Sequence, residues 1–139
     1  MSEFKKLSDQ VFVSRQITVA DVEEAKRLGV TLIINNRPDG EEPGQPTAAE
    51  IGAAAKAAGI DYRTVPVDHS GFRPEQVAAM GEALDGASGP VLAFCRSGMR
   101  STALWALSQR GKGADGAALM SSARNAGYDL SSISGALTR

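Results

Sequence analysis

Short apolar runs, rich in β-branched residues, recur at regular intervals along the chain. Runs of this length, bounded by glycine, proline or polar clusters, predict strands. The predicted strands span residues 11–14, 30–35, 60–67 and 91–94, with a further strand at residues 4–7 paired to the first across a Ser-Asp turn. The run at residues 30–35 is continuous and largely β-branched, which is typical of a strand covered on both faces.

Helix signals lie between these strands. Two threonines are each followed three residues later by an acid, a pattern that predicts a capped helix start. A proline suits the first turn of another helix, and glycines mark helix ends. We place these starts at Thr18, Thr47 and Pro74. Residues 101–111 predict a helix that ends at Gly111, and the remaining residues predict one or two more helices.

This alternation predicts an α/β domain with a central, mostly parallel sheet flanked by helices. No internal repeat or linker interrupts it, so we expect one domain over residues 1–139. Ligands of such sheets bind beyond the carboxyl ends of the strands. We therefore expect the functional site in three loops, at residues 35–46, 68–73 and 95–101.

Composition and charge narrow the range of partners. The formal net charge is −1 over 139 residues, so bulk charge favours neither nucleic acid nor an anionic membrane. One cysteine and one histidine can form neither an internal disulfide nor the usual nitrogen and sulfur metal site, and we expect no cofactor. The sequence shows neither a signal-peptide pattern nor an apolar run of about 20 residues, so we expect a cytoplasmic setting. It gives no indication of oligomeric state.

The most informative stretch is FCRSGMRS, residues 94–101, between a predicted strand and a predicted helix. Successive N–H groups in such a turn form an anion nest, and the helix amino end adds partial positive charge. We place Cys95 there as a nucleophile, with Gly98 allowing a tight turn and Arg100 offering a fork for two oxygens. Ser101 could donate its hydroxyl to the thiolate. The other predicted substrate contacts are Arg96, Ser97 and Met99.

A lone cysteine is more often a small buried hydrophobe. Such a filler, however, needs no glycine, two arginines and two serines around it at a junction between strand and helix. The composition of the loop therefore favours a chemical role for Cys95.

The order of motifs along the chain resembles cysteine-dependent tyrosine and dual-specificity phosphatases. More closely, NNRPDGEE with a following QP, and FCRSG-x-RS later, resemble the bacterial beta-lactamase-hydrolase-like phosphatase domain family. This resemblance implies a cysteine-phosphatase-like fold in which Cys95 is the nucleophile and Arg100 grips the phosphoryl oxygens. The implied partner is a phosphorylated substrate, either a phosphotyrosine protein or a small phosphoester.

The loop departs from the usual phosphatase signature in two respects. Phe94 stands where that signature has histidine, and four residues instead of five separate Cys95 from Arg100. The shorter spacing is similar to the active loop of rhodanese-type sulfurtransferases, in which the cysteine carries a persulfide. Phosphoryl transfer and sulfur transfer therefore both stay open. A third hypothesis is a non-catalytic module that binds an anion or a protein partner.

A cysteine phosphatase also needs a general acid for the leaving oxygen. Asp68 follows a predicted strand and precedes Cys95 by 27 residues, which is similar to the acid loop of dual-specificity phosphatases. The alternative is a turn-forming aspartate in D-H-S-G, and His69 is another candidate acid. Arg37 could add positive charge at the rim of the cleft. Three acids nearby could orient arginines, although a solvated turn explains them equally well: Asp39, Glu41 and Glu42.

The leading hypothesis is a phosphoric monoester hydrolase that works in two steps without a metal. Cys95 attacks phosphorus, Arg100 and the loop amides hold the oxygens, and Asp68 protonates the leaving group. Water then hydrolyses the phosphocysteine with Asp68 as the base.

Overall fold

A five-stranded sheet forms the centre of the protein, which is represented by a computed structural model that describes residues 4–68 and 70–138. The strands are β1 (Lys5–Ser8), β2 (Val11–Ser14), β3 (Leu32–Asn35), β4 (Asp61–Thr64) and β5 (Val91–Phe94). Their order across the sheet is β1-β2-β5-β3-β4. β1 pairs antiparallel with β2, and the other neighbouring strands pair in parallel. The predicted mostly parallel sheet is confirmed.

Helices cover both faces of this sheet. They are α1 (Val19–Arg27), α2 (Ala48–Ala57), α3 (Pro74–Gly86), α4 (Met99–Gly111), α5 (Gly116–Asn125) and α6 (Ser134–Leu137), with a 3₁₀ turn at Ser131–Ile133. Thr18 and Thr47 cap α1 and α2 as predicted, each within a capping box, and Pro74 occupies the first turn of α3. Within the described ranges, no helix is both long and apolar enough to span a membrane.

The core has two layers because successive residues of the central strands point to opposite faces. On one face, Ile33 and Leu92 pack with apolar residues of α1 and α2. On the other, Ile34 and Ala93 pack with α3, α4 and α5, where Trp105 of α4 is a core residue. Since both faces are covered, a ligand has access at the edges of the sheet, and the predicted site loops lie at its carboxyl edge.

Two strands, β3 and β4, are shorter than the sequence predicts, and β3 begins at Leu32 and not at residue 30. β4 ends at Thr64 and not at residue 67, because Pro66 has no N–H to contribute to the ladder. The chain nevertheless continues beside β3, where the Val67 N–H donates to the Asn36 carbonyl oxygen at 2.9 Å. This extension brings the loop that carries Asp68 to the carboxyl edge of the sheet.

Candidate active site

The cysteine loop, residues 95–98, joins β5 to α4. Cys95 is fully buried directly after the strand. Gly98 has a φ of 97°, in the left-handed region that glycine adopts at little cost. This turn starts α4 at Met99, two residues before the predicted start. The loop is therefore tighter than expected, and the helix amino end lies close to the sulfur.

The loop directs a backbone amide at the Cys95 sulfur. The Gly98 N–H donates to Cys95 Sγ at 3.1 Å. One residue on, the Met99 N–H donates to the Ser97 hydroxyl oxygen at 3.2 Å. An N–H directed at sulfur stabilises negative charge there, and such amides at a helix start are the elements of an anion nest.

Arg100 lies in the first turn of α4 and is held from two sides. Its Nη1 and Nη2 donate to the two carboxylate oxygens of Glu41, each at 2.8 Å, and Nη1 also donates to the Val67 carbonyl oxygen. The hydrogen bonds to Glu41 raise the pKa of Arg100 against the effect of partial burial, and the nearby Cys95 sulfur adds to the increase. The Arg100 hydrogen bond, together with one from Arg37, lowers the pKa of Glu41 to about 2. The pair is therefore charged at neutral pH and fixed in a bidentate geometry.

Arg37 is buried behind this pair instead of standing at the rim of the cleft. Its side chain is 1% exposed. Its guanidinium donates to Glu41 at 2.8 Å, to Glu42 at 2.9 Å and to Gln16 Oε1 at 3.1 Å. Burial disfavours its charge, but the hydrogen bonds to the two glutamates raise its pKa overall. Arg37 therefore pairs with Glu41 and Glu42 inside the protein and does not stand at the rim as predicted. A buried cation is costly unless carboxylates pair with it.

The outer end of this charge network is exposed. Glu42 Oε2 lies 3.8 Å from Arg96 Nη2, and 44% and 65% of these side chains are exposed. Such a pair contributes little to stability in water. The Arg96 carbonyl oxygen also accepts from the Gln16 N–H at 3.2 Å. Arg96 therefore keeps its guanidinium at the surface of the loop, where it was predicted to meet the substrate.

Ser101 is fully buried, and its hydroxyl donates to Asn36 Oδ1 at 2.7 Å. The hydrogen bond formed here is thus to Asn36 and not to the Cys95 thiolate as the sequence suggested. Asn36 Nδ2 donates in turn to the Val65 carbonyl oxygen at 2.9 Å. These bonds tie α4 to the segments after β3 and β4, so the three predicted loops meet at one edge of the sheet.

Asp68 lies in the loop after β4, one residue beyond the carbonyl group that Arg100 contacts. Its carboxylate is exposed, and Oδ1 accepts from both the N–H and the hydroxyl of Ser70. This local turn is common for aspartate, while the position of its backbone is adjacent to the arginine site. His69, the other candidate acid, lies outside the described residues.

Sequence reasoning undervalued Glu41 and Glu42 and missed Gln16 and Tyr128. The sequence did indicate a role for the two glutamates, because they lie in a loop that follows a buried strand. Tyr128 lies in the turn after α5 and donates its hydroxyl to the carbonyl oxygen of a residue 31 positions earlier, Ser97, at 3.0 Å. No local sequence pattern predicts that contact.

Residues 3–112 match the family model of the beta-lactamase hydrolase-like protein, phosphatase-like domain. The chain belongs to this family. A beta-lactamase hydrolase-like protein of Agrobacterium fabrum strain C58 is 36% identical over 104 residues, which are 75% of this chain and 24% of that protein. The chain thus spans about a quarter of the length of the curated relatives it matches. The resemblance inferred from the motifs is confirmed.

Solved structures share the fold of this phosphatase-like domain. A candidate phosphatase of Neisseria meningitidis Z2491 is 32% identical, with a TM-score of 0.87 over 99% of this chain and 97% of its own. Tk-PTP in its active form is 18% identical, with a TM-score of 0.75 over 97% of this chain and 92% of its own. At that identity the second likeness shows the fold alone. The expected cysteine-phosphatase-like fold is confirmed, and the family assigns the chain to the phosphatase-like domains.

Proposed function

We propose that this domain is a cysteine-dependent phosphatase, similar to tyrosine and dual-specificity phosphatases, that acts through a phosphocysteine. The observation that carries the proposal is the Gly98 N–H directed at Cys95 Sγ at 3.1 Å. In the first step the thiolate attacks phosphorus, so that an S–P bond forms as the bond to the leaving oxygen breaks. In the second step water attacks phosphorus, the S–P bond breaks, and inorganic phosphate is released.

Arg100 would bind two phosphoryl oxygens of the substrate. A guanidinium has five N–H groups, and the hydrogen bonds to Glu41 and Val67 use both groups on Nη1 and one on Nη2. The groups that these bonds do not use, on Nε and Nη2, share one edge of the guanidinium and form a fork suited to two oxygens. Because Glu41 restrains the side chain, little freedom is lost when a phosphoryl group binds.

Asp68 would protonate the leaving oxygen and then accept a proton from the attacking water. Its position supports this role, because the preceding residue, Val67, holds Arg100 through its carbonyl oxygen. The hydrogen bonds from Ser70 keep the carboxylate in a turn, and contacts of this kind can rearrange when a substrate completes the site. The proposed substrate is a phosphoric monoester, either on a protein tyrosine or on a small molecule.

The length of the loop favours a second candidate function, sulfur transfer. Only four residues separate Cys95 from Arg100. In this reaction the thiolate attacks the outer sulfur of thiosulfate, sulfite leaves, and the Cys95 persulfide passes its outer sulfur to cyanide. No proton is needed for a leaving alkoxide, so Asp68 would be dispensable.

One set of assays separates the two candidates. The protein and its Cys95→Ser and Asp68→Asn variants are supplied with an aryl phosphate and, separately, with thiosulfate and cyanide. Asp61→Asn serves as the matched control, because it makes the same change at the amino end of β4, at the opposite edge of the sheet. Rapid acid quenching followed by mass spectrometry detects a phosphate group on Cys95.

The phosphatase proposal expects phosphate release that Cys95→Ser abolishes and that Asp68→Asn slows by about 10² to 10⁴, with Asp61→Asn unchanged. A phosphorylated Cys95 should be trapped during turnover. Thiocyanate formation without phosphate release, at a rate insensitive to Asp68→Asn, would replace this proposal with sulfur transfer. Activity in neither assay would leave only an anion-binding or interaction role.

A further inference from the structure

The peptide between Ser97 and Gly98 is held at both of its ends. Its N–H donates to Cys95 Sγ at 3.1 Å. Its carbonyl oxygen accepts from the Tyr128 hydroxyl at 3.0 Å. The C=O and N–H of a trans peptide point in opposite directions, and the backbone here contains no cis peptide among the described residues. The tyrosine bond and the sulfur bond therefore fix the same orientation.

The Ser97–Gly98 peptide can flip more easily than a peptide between two residues with side chains. Rotating a peptide plane changes ψ of the preceding residue and φ of the following one, and glycine accepts φ of either sign. Gly98, at a φ of 97°, therefore offers little resistance to such a flip. The flipped peptide would direct the Ser97 carbonyl oxygen towards the sulfur, and a bound oxyanion would meet a negative dipole instead of an N–H.

Tyr128 packs closely against the outer side of the loop. A Cβ built on Gly98 would overlap the Tyr128 hydroxyl and lie 2.7 Å from its Cζ atom. The tyrosine is anchored by its own backbone, since its N–H donates to the Ala123 carbonyl oxygen at 2.8 Å at the end of α5. Two residues later Leu130 is 2% exposed in the core. The hydroxyl thus reaches the loop from a supported position.

The tyrosine belongs to a part of the chain that the family match does not include, since that match ends at residue 112. We propose that Tyr128 is a positioning residue for the active site. Its hydroxyl keeps the Ser97–Gly98 peptide with the N–H directed at the anion, so the segment after α4 completes the phosphate-binding loop. This inference rests on the proposed function, because it assigns the loop to phosphate.

The test compares Tyr128→Phe with Tyr62→Phe. Both changes remove one phenolic hydroxyl, and the Tyr62 hydroxyl accepts from Asn35 Nδ2, at the end of β3, at 3.0 Å. Three quantities are measured for each protein: the amide chemical shifts of Gly98 by nuclear magnetic resonance, the inhibition constant of inorganic phosphate, and kcat and KM for an aryl phosphate. Thermal unfolding verifies that both variants are folded.

Tyr128→Phe should shift the Gly98 amide resonance, weaken phosphate inhibition by about three- to tenfold, as the loss of one hydrogen bond implies, and lower kcat. Tyr62→Phe should leave these quantities at the wild-type values. An unchanged Gly98 resonance with unchanged phosphate inhibition in Tyr128→Phe would overturn the inference while leaving the phosphatase proposal standing. If the wild type itself neither binds nor releases phosphate, the proposed function fails, and the Gly98 resonance still shows whether Tyr128 sets the peptide.

Discussion

Glu41 joins two arginines that serve different purposes. Its Oε1 accepts from both Arg37 Nε and Arg100 Nη2, and its Oε2 accepts from Arg100 Nη1, all at 2.8 Å. A buried cation such as Arg37 is costly unless a carboxylate pairs with it, and that pairing orients the carboxylate. Glu41 in turn holds the arginine that we assign to phosphate. The two ion pairs together act as a rigid support behind the cysteine loop.

Sequence alone identified Arg100 as a site residue but did not predict its ion pair with Glu41. Arg100 follows from the loop motif, whereas Glu41 stands 59 residues earlier in a turn-rich loop where solvated acids are common. The contact exists because β5 lies beside β3 in the sheet, so the loops after both strands meet. No local pattern encodes which strands become neighbours.

The first prediction concerns Glu41→Gln. A glutamate whose pKa falls to about 2 on folding stabilises the protein fully above its ordinary pKa of 4.5, and this contribution is lost as pH falls from about 4.5 towards 2. At pH 7 we expect Glu41→Gln to lower the free energy of unfolding by about 2 kcal/mol. The difference from wild type should shrink as pH falls through that window. Urea unfolding at a series of pH values from 7 to 2.5 measures it.

Glu24→Gln is the control for this experiment. Glu24 also pairs with an arginine, Arg27, at 2.8 Å, but on the exposed surface of α1. Such pairs contribute about 0.5 kcal/mol or less, so its removal should change little at any pH. A Glu41→Gln deficit that stayed constant from pH 7 to pH 2.5 would contradict the assignment of that stability to the charged carboxylate.

Among the helices, α4 begins differently from α1, α2 and α5. Side chains cap these three, through Thr18, Thr47 and Asp115. At α4 the N-cap is Gly98, which has no side chain that could cap the helix. The sequence predicted the threonine caps correctly because a capping box is complete within four residues. The start of α4 has no such local motif and depends on the turn at Gly98, so the sequence placed it two residues too late.

Thr18→Ala tests a helix start away from the cysteine loop. The Thr18 hydroxyl accepts from the Asp21 N–H at 3.3 Å, and loss of such a cap costs about 1 kcal/mol of unfolding free energy. Thr18→Ser keeps the hydroxyl and should keep most of the stability. Urea unfolding measures the difference, and kcat/KM for an aryl phosphate should be equal in both variants. Equal destabilisation by alanine and serine would assign the effect to the methyl group instead of the cap.

At the scale of the whole molecule, the chain after α4 closes one side of the core. Leu119, Leu130 and Leu137 are at most 6% exposed and belong to the same apolar cluster as Leu104 of α4. The sequence predicted one or two helices here, yet their packing was not predictable because α6 is four residues long and carries little periodicity. Burial of Leu137 is what places this short helix, and the same segment presents Tyr128 to the cysteine loop.

Gly116→Ala tests how closely this segment must pack. A Cβ on Gly116 would overlap the Leu137 carbonyl oxygen and lie 2.6 Å from its carbonyl carbon. Since backbone cannot yield as a flexible side chain does, we expect a loss of about 1–3 kcal/mol in unfolding free energy, with faster hydrogen exchange in α6. Gly86→Ala is the control, because none of the residues that the structure describes lies within 4 Å of a Cβ at that helical position. It should be neutral or gain about 0.5–1 kcal/mol from the better helix former. Equal stabilities of the two variants in urea would show that α6 moves aside freely and that the C-terminal segment does not pack as a rigid part of the domain.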